Sequence, residues 1–289
     1  MSQQADLQAA GATPYRLRAH FRLLNQTGGP VEGSYTLQWV SATQWREEIT
    51  APNYNEVRAA ANGNLWEVNS AGRRSWPIRQ LASTVNVKSH FRADAARLRE
   101  EPAAPDAKPG TRCFMLQNAQ PPASRYCFTA SLASARSEYG SEAYEYSNFA
   151  PWKEHSFPRN MSAWLNGERA LEVAVEELSD LPQPDSALFT APAGAEQRCL
   201  SPDAPQLVDS SEPKYPRTAA RSGTDGIVAV YVRIGADGKV HDPFIVRTPG
   251  PEFNPPTLAA LEQWRFRPAS CKGQAVPFDT TIEVAFQLR

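Results

Sequence analysis

The sequence has no excess of charge of either sign and no long hydrophobic run. Lys and Arg number 30 and Asp and Glu number 31, so the formal net charge of the 289 residues is -1. This balance excludes the basic surplus with which proteins neutralise nucleic-acid phosphates. No stretch approaches the roughly 18 consecutive apolar residues of a membrane-spanning helix. We therefore expect neither a nucleic-acid partner nor a membrane span within the sequence.

Sequence motifs for catalysis and for metal binding are also absent. The four histidines lie far apart: His20, His90, His155 and His241. None of them belongs to an H-E-x-x-H motif or to a Cys/His zinc spacing. No G-x-S-x-G elbow, P-loop or G-x-G-x-x-G follows a predicted strand. Adjacent acids such as Glu47 and Glu48 lie on predicted strands, where neighbours point to opposite faces. The sequence thus predicts a protein that is not an enzyme and holds no metal or cofactor.

Only four cysteines are present, and no two of them form a C-x-x-C pair. Cys113 and Cys127 flank a stretch typical of a strand, a Pro-Pro turn and a returning strand, and such a hairpin brings two Cα atoms within disulfide reach. Cys199 and Cys271 would then form a second disulfide. The alternative is four buried thiols in a cytosolic protein. Two disulfides favour an oxidising compartment, which we take to be the periplasm.

The first twelve residues carry neither the basic start nor the apolar stretch of a secretion signal. They are predicted to form a flexible lead-in, residues 1–12, with Met1 placed on a mature secreted chain after removal of a signal peptide. An alternative is a native form with a membrane anchor upstream of Ser2.

Prolines mark a division of the chain into two domains. Seven of the 25 prolines fall between residues 182 and 216. Because proline lacks an amide donor and biases the preceding residue toward extended geometry, this stretch predicts a stiff connector without regular elements. We place the connector at residues 196–211, between a first domain at 13–195 and a second at 212–289.

In the first domain, apolar and polar residues alternate with the period of a β-strand. The alternation is clear over residues 15–23 and 35–39 and predicts half-buried antiparallel strands with one solvated face. Further strands are predicted at residues 44–49, 55–59, 65–68, 112–116, 125–129, 143–149, 160–165 and 171–178. From residue 78 to residue 99 the apolar positions, among them Phe91, Ala95 and Leu98, follow helical spacing, which predicts a helix that Glu100-Glu101-Pro102 ends.

Several diffuse motifs accompany these strands. They are Phe157-Pro158-Arg159, which leads into a hairpin at residues 164–168, a strand at residues 171–175, and Leu188-Phe189-Thr190-Ala191-Pro192. With the strand order, they resemble the LolA/LppX-type family of periplasmic lipoprotein and lipid carriers. The resemblance implies a curved antiparallel half-barrel with a helical lid and a concave apolar face able to take acyl chains. Seven aromatic residues are candidates for lining that face: Tyr35, Trp39, Trp45, Trp66, Tyr144, Tyr146 and Trp164. The alternative is that these aromatics form the core.

The second domain carries an ordered series of motifs. They are Tyr215-Pro216, a small-residue helix at residues 217–222, a strand at residues 226–234, an Asp237-Gly238 turn, a returning strand at residues 240–247, a helix that Asn254 can cap, Trp264-x-Phe266-x-Pro268-Ala269, and a closing strand at residues 282–288. This order predicts a small α+β unit with two helices and a three-stranded antiparallel sheet. The series resembles the TonB C-terminal domain family.

That resemblance implies a periplasmic domain that adds the short extended "box" peptide of an outer-membrane transporter to an exposed sheet edge. The edge residues it implies are Thr281, Ile282, Glu283, Val284, Ala285, Phe286, Gln287 and Leu288. A second partner-binding segment precedes the first helix and comprises Glu212, Pro213, Lys214 and Tyr215. Glu212 stands where the family often has glutamine. For Tyr215 and Trp264, core packing is the alternative to partner contact.

The combined prediction is an α+β protein in the periplasm that binds an outer-membrane transporter or another envelope protein by strand addition, in support of transmembrane transport. The alternative function is the carriage of lipid or lipoprotein acyl chains by the half-barrel. A third interpretation is a homodimer that exchanges strands through the C-terminal edge.

Overall fold

A computed structural model of the chain contains two compact units, Met1–Gln197 and Arg198–Arg289, here called the N-terminal and C-terminal units. Among the described residues, no helix is long and apolar enough to span a bilayer. The structure describes residues 6–8, 11–24, 26, 28–72, 74–87, 97–105, 107–116, 124–129, 133–139 and 142–287.

The N-terminal unit is built on one open sheet of 13 strands. In chain order these are β1 Tyr15–Leu23, β2 Val31–Ser41, β3 Gln44–Ala51, β4 Tyr54–Ala61, β5 Asn64–Asn69, β6 Leu98–Glu101, β7 Thr111–Leu116, β8 Ser124–Thr129, β9 Ser134–Tyr139, β10 Glu142–Trp152, β11 His155–Leu165, β12 Glu168–Asp180 and β13 Glu196–Arg198. Their spatial order is β13-β5-β4-β3-β2-β1-β12-β11-β10-β9-β8-β7-β6. In this spatial order, every neighbouring pair of strands from β5 at one end to β6 at the other is antiparallel. The predicted antiparallel architecture is confirmed.

Alternation along the strands gives this sheet one apolar face, here called the inner face. In β1, Tyr15, Leu17, Ala19 and Phe21 are at most 2% exposed, whereas the residues that alternate with them are partly or fully exposed. Helix α1, Trp76–Val85, packs onto the inner face and adds Ile78 and Leu81 to the core. Because α1 covers apolar side chains that the strands present on one side, the core lies between the helix and the sheet.

The predicted helix over residues 78–99 is too long. Helix α1 ends at Val85, and Leu98–Glu101 forms β6, which pairs with β7. An exposed ion pair lies at this edge, where Arg112 Nε is 2.8 Å from Glu100 Oε1. Phe91 and Ala95 lie outside the described residues. Strand β9 was not predicted, because its sequence SARSEY carries almost no apolar alternation.

The C-terminal unit contains two helices and short sheets. Its elements are β14 Gln206–Asp209, α2 Arg217–Ser222, β15 Gly226–Ile234, β16 Val240–Arg247, a 3-10 turn Pro251–Phe253, α3 Asn254–Leu261, β17 Arg265–Arg267, β18 Ala269–Cys271, β19 Gln274–Val276 and β20 Phe278–Phe286. The main sheet has the order β16-β15-β20, and its pairs are antiparallel. Apolar side chains of β15 and β20 pack with α2, α3 and Phe253 in one core. The predicted small α+β unit is confirmed.

Two local expectations for the C-terminal half differ from the structure. The stretch at 196–211 holds strands β13 and β14, which fall between the prolines rather than on them. Asn254 does not cap α3 but is its first residue, because the 3-10 turn runs directly into the helix and leaves no extended residue there.

Both predicted disulfides are present in the structure. Cys113 and Cys127 lie directly opposite each other on β7 and β8, and their sulfurs are bonded. Cys199 is bonded to Cys271 of β18, which ties the start of the C-terminal unit to its sheet region. The predicted Pro-Pro turn, at residues 117–123, lies outside the described residues.

Candidate functional site

Strand β20 forms one edge of the three-stranded sheet. It pairs with β15 along its whole length, from Phe278 opposite Ile234 to Phe286 opposite Gly226, without a register shift. None of its nine residues is a proline. In an antiparallel edge strand, alternate residues direct their backbone N–H and C=O groups away from the sheet. The edge of β20 is therefore a regular template for a further strand.

The opposite edge, β16, is interrupted. Pro243 lies within the strand and has no backbone N–H to donate. The pairing of β16 with β15 shifts register twice, and Asp242 has a φ of 48°. Proline and bulges are the devices with which proteins prevent strand addition. Within the three-stranded sheet, β20 thus offers the regular edge.

The predicted edge residues divide by face. Ile282, Val284 and Phe286 point into the core, and the last two are only 3% and 2% exposed. Thr281, Glu283 and Ala285 alternate with them and are exposed. Gln287 follows the end of the strand and is exposed, and Leu288 lies outside the described residues. A partner would consequently meet the backbone of β20 and only the exposed half of its side chains.

The second predicted segment lies beside the end of β20. The ring of Tyr215 packs edge-on against the rings of Phe286 and Phe253, with centroid distances of 5.9 and 6.1 Å. Its hydroxyl lies 2.7 Å from both Thr224 O and Asp225 Oδ1. Burial, together with the hydrogen bond to Asp225, raises the pKa of Tyr215 to about 12, so the hydroxyl remains a donor.

Residues 212–214 lead into Tyr215 without regular structure, and Glu212 and Lys214 are exposed whereas Pro213 is half-buried. Trp264 fixes the chain just before them, because its indole Nε1 donates to Ser211 O at 3.0 Å. The structure therefore brings the two predicted partner-binding segments together through Tyr215 and Phe286. Tyr215 and Trp264 themselves pack against the core of the C-terminal unit.

In the N-terminal unit, five of the seven predicted aromatic residues share the inner face. Three of them, Tyr35, Trp39 and Trp45, line a cavity of about 460 Å³ between α1 and the sheet. The other two, Tyr144 and Tyr146, hold the helix: their hydroxyls donate to Gln80 Oε1 at 2.5 Å and to Thr84 O at 3.3 Å. The predicted apolar face is real, but only part of it borders open space.

Trp66 and Trp164 lie on the outer face, which corrects the predicted set. Strand alternation places Trp66 beside Ala59, and its ring packs with Ala61 and Phe189 on that side. Trp164 follows the inner-facing Ala163 and therefore points outward. There it lies between two guanidinium groups, those of Arg136 and Arg169, at 5.3 and 4.7 Å from the ring centroid.

A charged cluster that the sequence did not predict lies on the inner face near the cavity. It comprises Glu47, Glu56, Arg58, Glu67 and Arg74, of which Glu47, Arg58 and Arg74 line the cavity. Arg74 lies just before α1, and its Nε is 3.1 Å from both carboxylate oxygens of Glu56. Its Nη2 donates to Glu47 Oε2. Arg74 thereby connects the start of the helix to β3 and β4.

The remaining contacts of the cluster involve Arg58 and Tyr35. Arg58 Nη1 donates to Glu47 Oε2 at 3.4 Å, and its Nε lies 3.3 Å from Glu67 Oε2. The Tyr35 hydroxyl donates to Glu47 Oε1 at 3.0 Å. The sequence did carry a signal for this cluster. Glu47 lies between Trp45 and Ile49 on the inward face of β3, and a charged residue at such a buried strand position is unusual.

The electrostatics of the charged cluster differ between its two central carboxylates. Burial alone would raise the pKa of Glu47, but Arg74 and Arg58 outweigh it and lower that pKa to about 2. For Glu56, burial dominates over Arg74 and raises the pKa above its ordinary value. Burial alone would lower the pKa of Arg74, yet Glu47 and Glu56 raise it, so the guanidinium stays charged. The ionised form is therefore favoured at Glu47 and disfavoured at Glu56, although both carboxyls contact Arg74.

Several solved structures are similar to parts of the chain. The solution structure of the Pseudomonas aeruginosa TonB C-terminal domain is 28% identical, with a TM-score of 0.26; the match covers 29% of this chain and 86% of that one. A LolA superfamily protein from Nitrosomonas europaea is 11% identical, with a TM-score of 0.40 and coverages of 65% and 94%. A DUF1329 family protein from Desulfovibrio piger is 10% identical, with a TM-score of 0.40 and coverages of 65% and 92%.

The chain has no match among curated proteins. One family model does match, and it confirms the resemblance that the C-terminal motifs predicted. The matched stretch contains both helices and the three-stranded sheet of the C-terminal unit. Residues 211–288 match the family described as Gram-negative bacterial TonB protein C-terminal.

Proposed function

We propose that the C-terminal unit binds an extended segment of an outer-membrane transporter, or of another envelope protein, as a fourth strand beside β20, in support of transmembrane transport. The observation that carries this proposal is the regular edge of β20 in a stretch that matches the TonB C-terminal family. Strand addition takes its affinity from backbone hydrogen bonds and its specificity from alternate side chains. The protein is then a binding protein rather than an enzyme.

The periplasm suits this function. Two disulfides persist in an oxidising compartment, and all four cysteines of the chain are used in them. The ring of Tyr215 packs against Phe286 at the end of β20, which brings the segment at 212–215 close to the proposed docking edge. We infer that this segment is a second contact surface for the same partner.

The proposal predicts an alternating pattern of hydrogen exchange along β20. In the free protein, amides that bond to β15 exchange slowly, and the alternate amides at the open edge exchange fast. Box-like peptides from the outer-membrane transporters of the source organism are expected to slow the fast set of β20. The exchange of β16 should stay unchanged. Amide NMR of the full chain measures both.

The matched control is the same peptide with N-methyl groups on alternate residues, which removes half of its donors. The peptide can be methylated on either of two alternating sets of residues. The set whose N–H groups face away from β20 should leave the protection unchanged, and the set whose N–H groups face β20 should abolish it. The proposal would be contradicted if the peptides slowed the amide exchange of β16 instead, or if they left the amide exchange of all of β20 unchanged.

A second candidate function, the carriage of an acyl chain, is favoured by the cavity under α1. Its volume of about 460 Å³ lies within the range of small-molecule sites, roughly 300–1,000 Å³. Aromatic side chains, Trp39, Trp45 and Phe157, supply apolar walls, and the charged cluster supplies a polar end. Such a site suits one amphiphilic molecule.

Filling the cavity should weaken that binding. Ala82 lines it from α1, so Ala82→Phe is expected to weaken binding of a fluorescent long-chain fatty acid by at least about tenfold, because the added ring occupies the site. The matched control is Ala187→Phe, at an exposed alanine of the same unit. Fluorescence titration checks the affinity, and native mass spectrometry checks for a copurifying lipid. Equal binding by both variants would rule the cavity out.

A further inference from the structure

We propose that Glu283 selects the partner segment and sets its register, so that the added strand carries a lysine or arginine directly beside Glu283. This inference rests on the proposed strand addition to β20. It follows from the side chains that β20 presents on its exposed face and from the way one of them is held.

The exposed face of the docking edge carries one well-exposed carboxylate, that of Glu283. Asp279, on the same face of β20, is 21% exposed, and both of its carboxylate oxygens accept hydrogen bonds from an arginine of β15, at 2.8 and 3.0 Å. From Thr281 to Phe286, the exposed side chains are those of Thr281, Glu283 and Ala285, so one carboxylate lies between two small residues. The Glu283 side chain is 42% exposed. The opposite face of the same stretch is apolar and belongs to the core. An incoming strand therefore meets the more exposed of the two acidic side chains of this face at Glu283.

The carboxylate of Glu283 is held in place from within the sheet. Arg247 of β16 reaches across Ala229 of β15, and its Nη2 lies 2.6 Å from Glu283 Oε1. This pair orients the carboxylate and occupies one oxygen, while Glu283 Oε2 makes no hydrogen bond within the described residues. Arg247 is only 18% exposed, so the acidic end of the pair is the end that faces the partner.

Charge complementarity then identifies the partner residue. Directly opposed side chains of neighbouring strands have Cβ atoms about 4.5–5.5 Å apart, which lets a lysine or arginine reach Glu283 Oε2. A shift of the partner by two residues would place that basic side chain beside Thr281 or Ala285, where it loses the charge pair. The expected segment has apolar residues on the side that continues the core face of the sheet. On its other side it has small residues and one central basic residue.

The test uses a box-like peptide that protects β20 by hydrogen exchange, made in versions with lysine, glutamine or glutamate at the position beside Glu283. With the full chain, the lysine version should bind about 1.5- to 5-fold tighter than the glutamine version, and the glutamate version weaker by a similar factor. Moving the lysine by two residues should remove the gain. Higher salt should narrow the differences.

Variants of the protein complete the test. Glu283→Gln should bring the three peptides to equal affinity, and Glu283→Lys should reverse their order. Because Glu283 is exposed, both variants are expected to fold, and unchanged exchange in β15 checks this. If the three peptides bind the wild-type protein equally, or keep their order with Glu283→Gln, the inference is overturned and strand addition stands. If no peptide protects β20, strand addition itself fails.

Discussion

Replacing Arg74 with methionine is expected to destabilise the N-terminal unit by about 3–5 kcal/mol, the usual effect of removing one partner from a buried ion pair. The side chains of Glu47 and Glu56 are only 8% and 1% exposed, and both depend on this guanidinium. Without it, Glu56 loses the guanidinium that it is bonded to, and Glu47 keeps only the longer contact with Arg58 as an ion pair. Hydrogen exchange of β3 and β4 measures the effect on this unit alone.

The matched control for Arg74 is Arg112→Met. Arg112 also pairs with a glutamate of the same unit, but the side chains of Arg112 and Glu100 are 62% and 54% exposed. Exposed pairs contribute about 0–1 kcal/mol, so this variant should stay close to the wild type. Equal losses for Arg74→Met and Arg112→Met would show that burial of the charged cluster is not the cause.

The pH dependence of stability provides a second measurement on the Arg74 variant. A carboxyl whose pKa is lowered on folding stabilises the protein above its unfolded pKa, here about 4.5, and this contribution is lost as the pH falls through about 2. Glu56 acts in the opposite sense, because a raised pKa favours its protonated form in the folded state. Removing Arg74 should raise the pKa of Glu47, so the destabilisation caused by Arg74→Met should be largest near neutral pH and should shrink as the pH falls toward 2.

Removing the Cys199–Cys271 disulfide is expected to destabilise the C-terminal unit by about 4 kcal/mol. The bonded residues are 72 positions apart, and the entropy of closing a loop of that length in the unfolded chain gives about this value. A typical domain is stable by roughly 5–15 kcal/mol, so the loss takes much of what holds this unit folded. Thermal unfolding of Cys199→Ser/Cys271→Ser, followed through Trp264, measures it.

The second disulfide is the natural comparison. Cys113 and Cys127 are 14 positions apart, so their removal should cost about 3 kcal/mol, and the loss should fall on the N-terminal unit. Each double variant should therefore lower the stability of its own unit. A Cys199→Ser/Cys271→Ser protein with unchanged exchange in β15 would contradict the expectation.

The sequence predicted strands correctly where apolar and polar residues alternate strictly. In β1, every second residue is apolar and buried, so the predicted ends, Tyr15 and Leu23, agree with the structure. Strand β9 escaped prediction because pairing with β8 and β10, rather than its own side chains, holds it in the sheet. Local sequence does not report such long-range pairing.

It was harder to predict which face of the sheet a side chain lies on than to predict where the strands are. A strand flips every side chain when its register shifts by one residue, and the pairing of β11 with β12 shifts between Ala163 and Trp164, where it skips Ala170 of β12. The sequence run Ala163-Trp164-Leu165 is apolar throughout and gives no sign of which residues point inward. The same limit applied to the charged cluster, since Arg74 meets Glu47 and Glu56 only after α1 has folded back onto the sheet.

The interrupted edge of β16 also limits how copies of the C-terminal unit can assemble. If two copies joined through β20, the resulting six-stranded sheet would expose β16 at both ends, where Pro243 and the register shifts prevent further growth. Such an assembly closes at two copies instead of extending into a fibre. Dimerisation would also use the edge on which a partner docks. Self-association and partner binding are then competing reactions, and the concentration of the partner decides between them.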